Sequence, residues 1–344
     1  MSLCAETVPG TASEPSTCLP KAAPLMPIAL GPLPSQPLVS IVVPSYNQGK
    51  YIRATIDSIL GQDYRPIQIV VMDGGSRDET VSVLQSYGEL PELEWISEPD
   101  AGVVDAVNKG FARVRGDIVA IQSSDDCYLP GTLRTVVKTF HADEQLGLLY
   151  GDTVKVNASG VEIARHQIGP YSLLNLLRLR TWIPQPSAFF RREMLDVLGG
   201  WDPRIPYAPD TDLWLRMAMR TVVKKCDHVF SQRRMHGEQR DTQAAKIIRD
   251  YALMIDQSPD IAAAPLEVRR AAQAGKHLMR VRYNPTGGNW YAARNLIQAG
   301  MYDRNCWNWH GIINYLCWFP TRKMLSRCKR MILGRANAVR ELPR

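Results

Sequence analysis

Two adjacent carboxylates, Asp125 and Asp126, follow the apolar run Ile118-Val119-Ala120-Ile121 after the spacer Gln122-Ser123-Ser124. Like charges side by side repel, and they persist only where a cation or a donor-rich ligand offsets them. A hard divalent ion that also binds phosphate oxygens meets that need, and it stabilises a diphosphate as charge develops on it. Neighbouring side chains on an extended segment point apart, so the two acids divide the work, Asp126 to the metal and Asp125 to a ribose. The plainer use of an Asp-Asp pair is a solvated turn ahead of Pro130.

Other polar groups stand in comparable places. Asp73 ends Ile67-Gln68-Ile69-Val70-Val71-Met72 and precedes Gly74 and Gly75. A carboxylate at a strand end hydrogen-bonds ribose hydroxyls or base N–H groups, and glycines let backbone approach a ligand. An Asp-Gly turn into a helix uses the same residues. Asp210 and Asp212 lie in Pro209-Asp210-Thr211-Asp212-Leu213-Trp214, where a helix would begin. A carboxylate there can take the proton of an attacking hydroxyl. Asp is equally an ordinary helix cap, so one acid can cap while the other acts as base. His236 follows Arg233-Arg234-Met235 and suits a metal shell or a phosphate contact, although a lone histidine is more often structural. The two arginines can neutralise a diphosphate.

Stepping outward, short β-branched runs alternate with helical periodicity. Leu38 to Val43, Ile67 to Met72, Leu93 to Ile96 and Ile118 to Ile121 read as strands, with helices near residues 51–60, 78–84 and 101–115 between them. Strand-helix alternation implies parallel β-α-β units. Ligands in such sheets sit beyond the carboxyl ends of the strands, and the polar clusters at 44–47, 73–76, 97–100 and 123–126 all follow strands. One acidic, glycine-bearing cleft is therefore expected. Further on, Leu148 to Asp152 reads as a strand, 153–169 as hairpin-like, 171–198 as helical with a turn at Pro184 and Pro186, 222–230 as partly strand, and the rest as mostly helical.

The formal net charge is +7, and the segment from Pro320 to Arg344 carries all of it, with eight Lys/Arg against Glu341. The high pI thus describes the tail and not the body. Seven cysteines are scattered without a C-x-x-C pair, which argues against a zinc site or disulfide framework and for a reducing compartment. Residues 1–37 are dense in proline and read as a disordered leader. With no secretory-type start and no apolar run of spanning length, a cytoplasmic location is expected. Trp307, Trp309, Tyr315, Trp318 and Phe319 ahead of the basic run suit an anionic membrane surface, contacted through 306–344. A helix packed on the domain's own flank fits them equally. No nucleic-acid-reading module is visible, and no nucleic-acid partner is expected.

Five motifs in order resemble glycosyltransferase family 2: Val39-Ser40-Ile41-Val42-Val43-Pro44-Ser45-Tyr46-Asn47, Asp73-Gly74-Gly75-Ser76-Arg77-Asp78, Ser124-Asp125-Asp126, Gly199-Gly200-Trp201-Asp202 and Asp210-Thr211-Asp212-Leu213-Trp214. The resemblance covers about residues 38–240. It implies a GT-A fold, which is an α/β, Rossmann-like, mixed and mostly parallel sheet flanked by helices. It also implies an inverting mechanism, a nucleotide-sugar donor, with a UDP-sugar the first choice, and Mn or Mg as cofactor. Pro44, Tyr46 and Asp73 would touch base and ribose. Asp100 and Lys109 would lie on the donor-side segment, with Asp125 and Asp126 as the acidic metal motif and His236 near the metal. The family's base is the Asp of a Glu-Asp pair opening a helix. Here the pair reads Pro209-Asp210, so the base position is kept, its acidic neighbour is lost, and Asp212 is the fallback.

The domain expectation is a leader over 1–37, a GT-A domain over 38–240 and a helical extension over 241–344 with a basic, aromatic tail. The expected activity is transfer of a sugar to the hydroxyl of a sugar or lipid-linked acceptor in bacterial surface polysaccharide or glycolipid synthesis. A sugar-nucleotide nucleotidyltransferase would need a Gly-rich, Arg-containing loop after the first strand, where this chain has Pro44-Ser45-Tyr46-Asn47-Gln48-Gly49-Lys50. A non-catalytic nucleotide-sugar-binding protein is the other alternative, and Pro209 is the residue that keeps it open.

Overall fold

The computed structural model describes residues 27–236, 243–284, 287–308 and 312. The elements are β1 (Val39–Ser45), α1 (Ile52–Leu60), β2 (Ile67–Asp73), α2 (Thr80–Gln85), β3 (Leu93–Ser97), α3 (Val103–Phe111), β4 (Ile118–Ile121), β5 (Cys127–Tyr128) and α4 (Thr132–His141). Then follow β6 (Leu146–Asn157), β7 (Glu162–His166), α5 (Leu173–Leu177), β8 (Ala188–Arg191), α6 (Glu193–Leu198), α7 (Pro209–Ala218) and β9 (Val222–Met235). Helices α8 (Ala244–Gln257), α9 (Pro259–Ala263), α10 (Leu266–Tyr283) and α11 (Asn289–Tyr302) complete the described chain.

One sheet runs β3-β2-β1-β4-β8-β6-β9-β5, with β7 beside β6. Strands β1 to β4 pair in parallel, as the β-α-β reading expects. All residues of β1, β2 and β4 are buried. Their β-branched side chains fill both faces, and each fully buried Val or Ile contributes about 1.5–3 kcal/mol, which fixes where their polar ends emerge. Helix α1 buries Ile52, Thr55, Ile56 and Ile59 at helical spacing against one face. Helix α3 lies against β1 and reaches it closely at Gly110, where a Cβ would collide with Val42.

The expectation of a helical stretch over 171–198 is corrected. Pro184 and Pro186 interrupt it at a short 3₁₀ turn, Gln185–Ser187, and Ala188–Arg191 becomes β8. Proline removes a donor and blocks helix continuation, and the four-residue apolar run fills the gap between β4 and β6, antiparallel to both. Phe189 and Phe190 feed the cores on opposite faces. The leader reading is also corrected for 27–37: Ile28 is buried, the Gly31 N–H donates to Glu193 and Tyr64 donates to the Pro37 carbonyl. Residues 1–26 lie outside the described residues.

A third core joins Leu177, Leu215, Tyr251, Met254, Ile255 and Met279, so α8 and α10 dock on α5 and α7. A buried ion pair, Arg178 Nε to Asp303 Oδ2 at 2.6 Å, ties the end of α5 to the end of α11. Cys127, Cys226 and Cys306 are free thiols. Among the described residues no helix is long and apolar enough to cross a membrane. The aromatic and basic segment expected to meet a membrane lies outside the described residues, apart from 306–308 and 312.

Candidate active site

The carboxyl ends of β1, β2 and β4 open into a cleft of about 1170 Å³. On its first side, two loops hold each other. The Asn47 N–H donates to Ser76 at 2.7 Å and the Arg77 N–H donates to Asn47 at 2.9 Å. The Gly49 N–H donates to Asp78, and these bonds with Thr80 hold the Asp78 carboxyl below its ordinary value although burial opposes them. Gly75 adopts φ +77°, which lets this loop turn where other residues would be strained. Pro44, Tyr46 and Asp100 line the cleft, and Tyr46 is 57% exposed.

Asp73 lies beneath this wall and not in it. Its carboxylate accepts from the Ser76 N–H at 2.9 Å, the Ser76 hydroxyl and the Ser97 hydroxyl at 2.6 Å. Lys109, expected to touch the donor, points elsewhere. Its ammonium pairs with Glu98 at 3.0 Å and Asp105 at 3.2 Å, outside the cleft.

Asp125 and Asp126 both reach the cleft, with different partners. Asp126 is 4% exposed, and its Oδ1 accepts the Arg234 N–H at 2.8 Å. Burial and then the charge of Asp125 hold its carboxyl well above the usual carboxylate range. Asp125 Oδ2 lies 2.8 Å from His236 Nε2. The His236 ring stacks on Tyr51 at 5.3 Å, and the Arg234 guanidinium also lies over Tyr51, at 5.0 Å. His236, expected near the metal, thus meets the acidic pair through Asp125. Register explains it, because β9 runs past β5 and brings His236 back across the sequence gap.

Among the described residues no three His, Cys, Asp or Glu side chains form a metal cage. A divalent ion that keeps phosphate oxygens as ligands needs only one or two carboxylates from protein. Asp126 and the adjacent Asp125, both lining the cleft, are the one or two carboxylates such an ion takes, and its positive charge would favour the ionised form that burial of Asp126 opposes.

Across the cleft, Asp210 lies in the first turn of α7 and lines the cavity. Its neighbour Asp212 does not. Asp212 is buried and binds Arg216 at 2.8 Å, and Arg216 also donates to the Leu198 and Gly200 carbonyls. This clamp shapes the Gly199-Gly200 loop, and burial raises the Asp212 carboxyl. The fallback base is thus turned into the fold. Asn108 holds the same loop from α3, exchanging two 2.8 Å bonds with the Trp201 backbone. The approach to Asp210 is held from α8: buried Asp250 accepts the Tyr207 N–H at 2.7 Å, and Lys246 reaches the Tyr207 hydroxyl at 2.7 Å.

Sequence reasoning missed Asn108 as a brace, Asp250, Trp182, Lys155 and Arg282. Lys155 lines the cleft and sits in register with Arg233 on β9. No local motif marks these residues; they meet the cleft only through distant pairings.

Residues 40–199 match the family described as Glycosyl transferase family 2. Over this segment the chain is similar to glycosyltransferase family 2. Among curated relatives, an uncharacterized glycosyltransferase of Rickettsia felis is 30% identical over 212 residues, covering 59% of this chain and 35% of that protein. The hyaluronan synthase of Pasteurella multocida is 26% identical over 236 residues, covering 68% of this chain and 24% of that protein. The chain thus spans about a quarter to a third of the length of these relatives. Among solved structures, S. aureus TarS 1-349 in complex with UDP-GlcNAc superposes with a TM-score of 0.58 at 15% identity, over 80% of this chain and 91% of that one. The mannosyltransferase PcManGT of Pyrobaculum calidifontis, in complex with GDP-Man and Mn2+, gives 0.56 at 22% identity over 88% and 83%. The fold shared with these structures is the GT-A sheet with its flanking helices, and a helical C-terminal region follows it.

Proposed function

We infer that the chain is an inverting glycosyltransferase that moves a sugar from a nucleoside-diphosphate donor to an acceptor hydroxyl. The observation that carries this reading is a single cleft with Asp125, Asp126 and His236 at one end and Asp210 at a helix start across from them. The complexes of two structural neighbours with UDP-GlcNAc and with GDP-Man and Mn2+ support a nucleotide-sugar donor.

Tyr46 offers an exposed ring to the base, with Pro44 and Asp100 beside it, and Asp73 sets the loop beneath. Asp125, Asp126 and His236 would hold a divalent ion, which supplies positive charge for the leaving diphosphate. Asp210, in the first turn of α7, takes the proton of the acceptor hydroxyl. The hydroxyl oxygen bonds to the anomeric carbon as the bond from that carbon to the diphosphate oxygen breaks. One displacement from the opposite face inverts that carbon, and no covalent intermediate with the protein is needed. The names of relatives that include hyaluronan and chondroitin synthases support surface polysaccharide synthesis. The basic run after Pro320 supports a place at the inner face of the membrane.

A panel of UDP-, GDP- and dTDP-sugars with Mn2+ or Mg2+, scored by donor hydrolysis and by NMR of the product anomer, tests this. Asp210→Ala should lower turnover about 10²–10⁴-fold while nucleotide binding persists. Nucleotide binding without turnover in the wild type would favour the binding-protein alternative, for which Pro209 ahead of Asp210 is the motivating feature.

A further inference from the structure

The cleft is larger than a donor alone requires. Its volume of about 1170 Å³ exceeds the roughly 300–1,000 Å³ of ordinary small-ligand pockets. The strand-end acids line one part of it. Another part is built by α5, the turn after it and α10, through Leu176, Leu179, Trp182, Met279, Arg282 and Tyr283. Helix α10 lies outside the segment that matches the family, so its residues are features of this chain and not of that match.

Arg282 is exposed in the last turn of α10. Its guanidinium lies 5.5 Å from the centroid of the Trp182 ring. Stacking uses the guanidinium face and leaves its N–H edge available for a two-pronged bond to an oxyanion. Among the described residues no acid forms an ion pair with Arg282. Asp100, Asp125, Asp126 and Asp210 line the same cleft. This part of the wall therefore presents the Arg282 guanidinium, stacked on Trp182, beside the apolar side chains of Leu176, Leu179 and Met279.

We propose that the Arg282–Trp182 pair is an acceptor subsite for a saccharide bearing an anionic group, either a sugar carboxylate or a phosphate. This rests on the transferase reading, since it assigns the acceptor half of the same cleft. The guanidinium binds the anion, the aromatic and apolar wall receives the sugar ring, and together they aim one hydroxyl at Asp210.

Titration calorimetry on the full chain loaded with UDP or GDP and Mn2+ tests this, with glucose, glucuronate and glucose 1-phosphate as probes. At least one anionic sugar should bind about tenfold or more tighter than glucose, the value of one charge-assisted contact. Arg282→Gln should remove most of that advantage and leave glucose binding within about twofold. Arg282→Lys should restore only part of it, because an ammonium lacks the planar fork. An advantage confined to glucuronate points to an acidic sugar, and one confined to glucose 1-phosphate points to a phosphate-linked acceptor. Equal binding of all three, no binding of any, or an advantage that survives in Arg282→Gln overturns the proposal. Failure of UDP and GDP to bind the wild type would instead bring down the transferase reading. Because Arg282 is exposed, an unchanged melting temperature for the variant shows that any loss is local.

Discussion

The two sides of the cleft are held in opposite ways. On the β1–β3 side, polar groups satisfy one another across neighbouring strand ends: Asp73 with Ser76 and Ser97, Asn47 with Ser76 and Arg77, Gly49 with Asp78. On the α7 side, each functional group leans on an element far away in sequence. Tyr207 is held by Asp250 and Trp201 by Asn108, while at the seam between the sides His236 faces Asp125 across 111 positions. The first side is assembled by the sheet itself. The second exists only when β9 and the C-terminal helices have docked.

The strongest way to break this comparison is at the seam between the sides. Asp126→Asn keeps the oxygen that accepts the Arg234 N–H and removes the charge. Loss of several kcal/mol of electrostatic stabilisation should lower turnover by about 10²-fold or more, with metal-dependent nucleotide binding lost in calorimetry. The metal-free variant should melt higher than the wild type near neutral pH, because a carboxyl whose folded pKa is raised by burial and Asp125 costs stability above its unfolded pKa and an amide does not. Excess EDTA should reduce wild-type turnover to a similar degree. Full activity in Asp126→Asn would show that the strand-end acids do not hold the diphosphate end.

Next in size is Asp250→Ala, which touches neither substrate. It leaves the half-buried Tyr207 N–H without its partner, at a cost of about 1 kcal/mol in stability, and loosens the approach to Asp210. Misplacing a reacting group by about an ångström can cost up to roughly 10²-fold, so turnover should fall about 10- to 100-fold. The Kd for nucleoside diphosphate should stay within about twofold. If nucleotide affinity fell in step with turnover, the two sides would not be separately supported.

The same contrast decides what was legible in the sequence. Parallel β-α-β order, the cleft at the strand ends and the site of Asp125, Asp126 and Asp210 follow from contiguous apolar runs and what ends them. The β8 strand was hidden because Ala188-Phe189-Phe190-Arg191 is too short to show a period, and its place is set by β4 and β6. Asp212 stays a fallback to Asp210 in the sequence, since spacing alone does not say which acid Arg216 will claim. The Asp125 partner of His236 has no local signal, because the β5–β9 register is a long-range fact. Asp250, Trp182 and Arg282 carry no local mark at all.

Ser97→Ala sharpens the donor side. It removes one of three donors to Asp73 and leaves both from Ser76. One neutral hydrogen bond is worth about 1 kcal/mol, so nucleotide affinity should fall about fivefold, with turnover at saturating donor little changed. A loss confined to turnover would mean that Asp73 serves the chemical step and not the nucleotide loop.

Lys109→Ala should have the smallest effect, and it separates motif from geometry. The motif around Asn108-Lys109-Gly110 suggests a donor contact, whereas the ammonium bridges Glu98 and Asp105 outside the cleft. Its hydrogen bonds to the Glu98 and Asp105 carboxylates raise its pKa. A lysine whose folded pKa is raised gives any stabilisation fully below its unfolded value, about 10.4, and loses it only as pH rises through the higher folded value. Between pH 6 and 9 the bridge is therefore intact in the wild type, and its removal should not give a pH-dependent activity change. An exposed pair of this kind adds little, so nucleotide Kd and turnover should both stay within about twofold across that range. A tenfold rise in nucleotide Kd in Lys109→Ala would mean that the lysine swings into the cleft when donor binds, and that the β1–β3 side is less preformed than its hydrogen bonds imply.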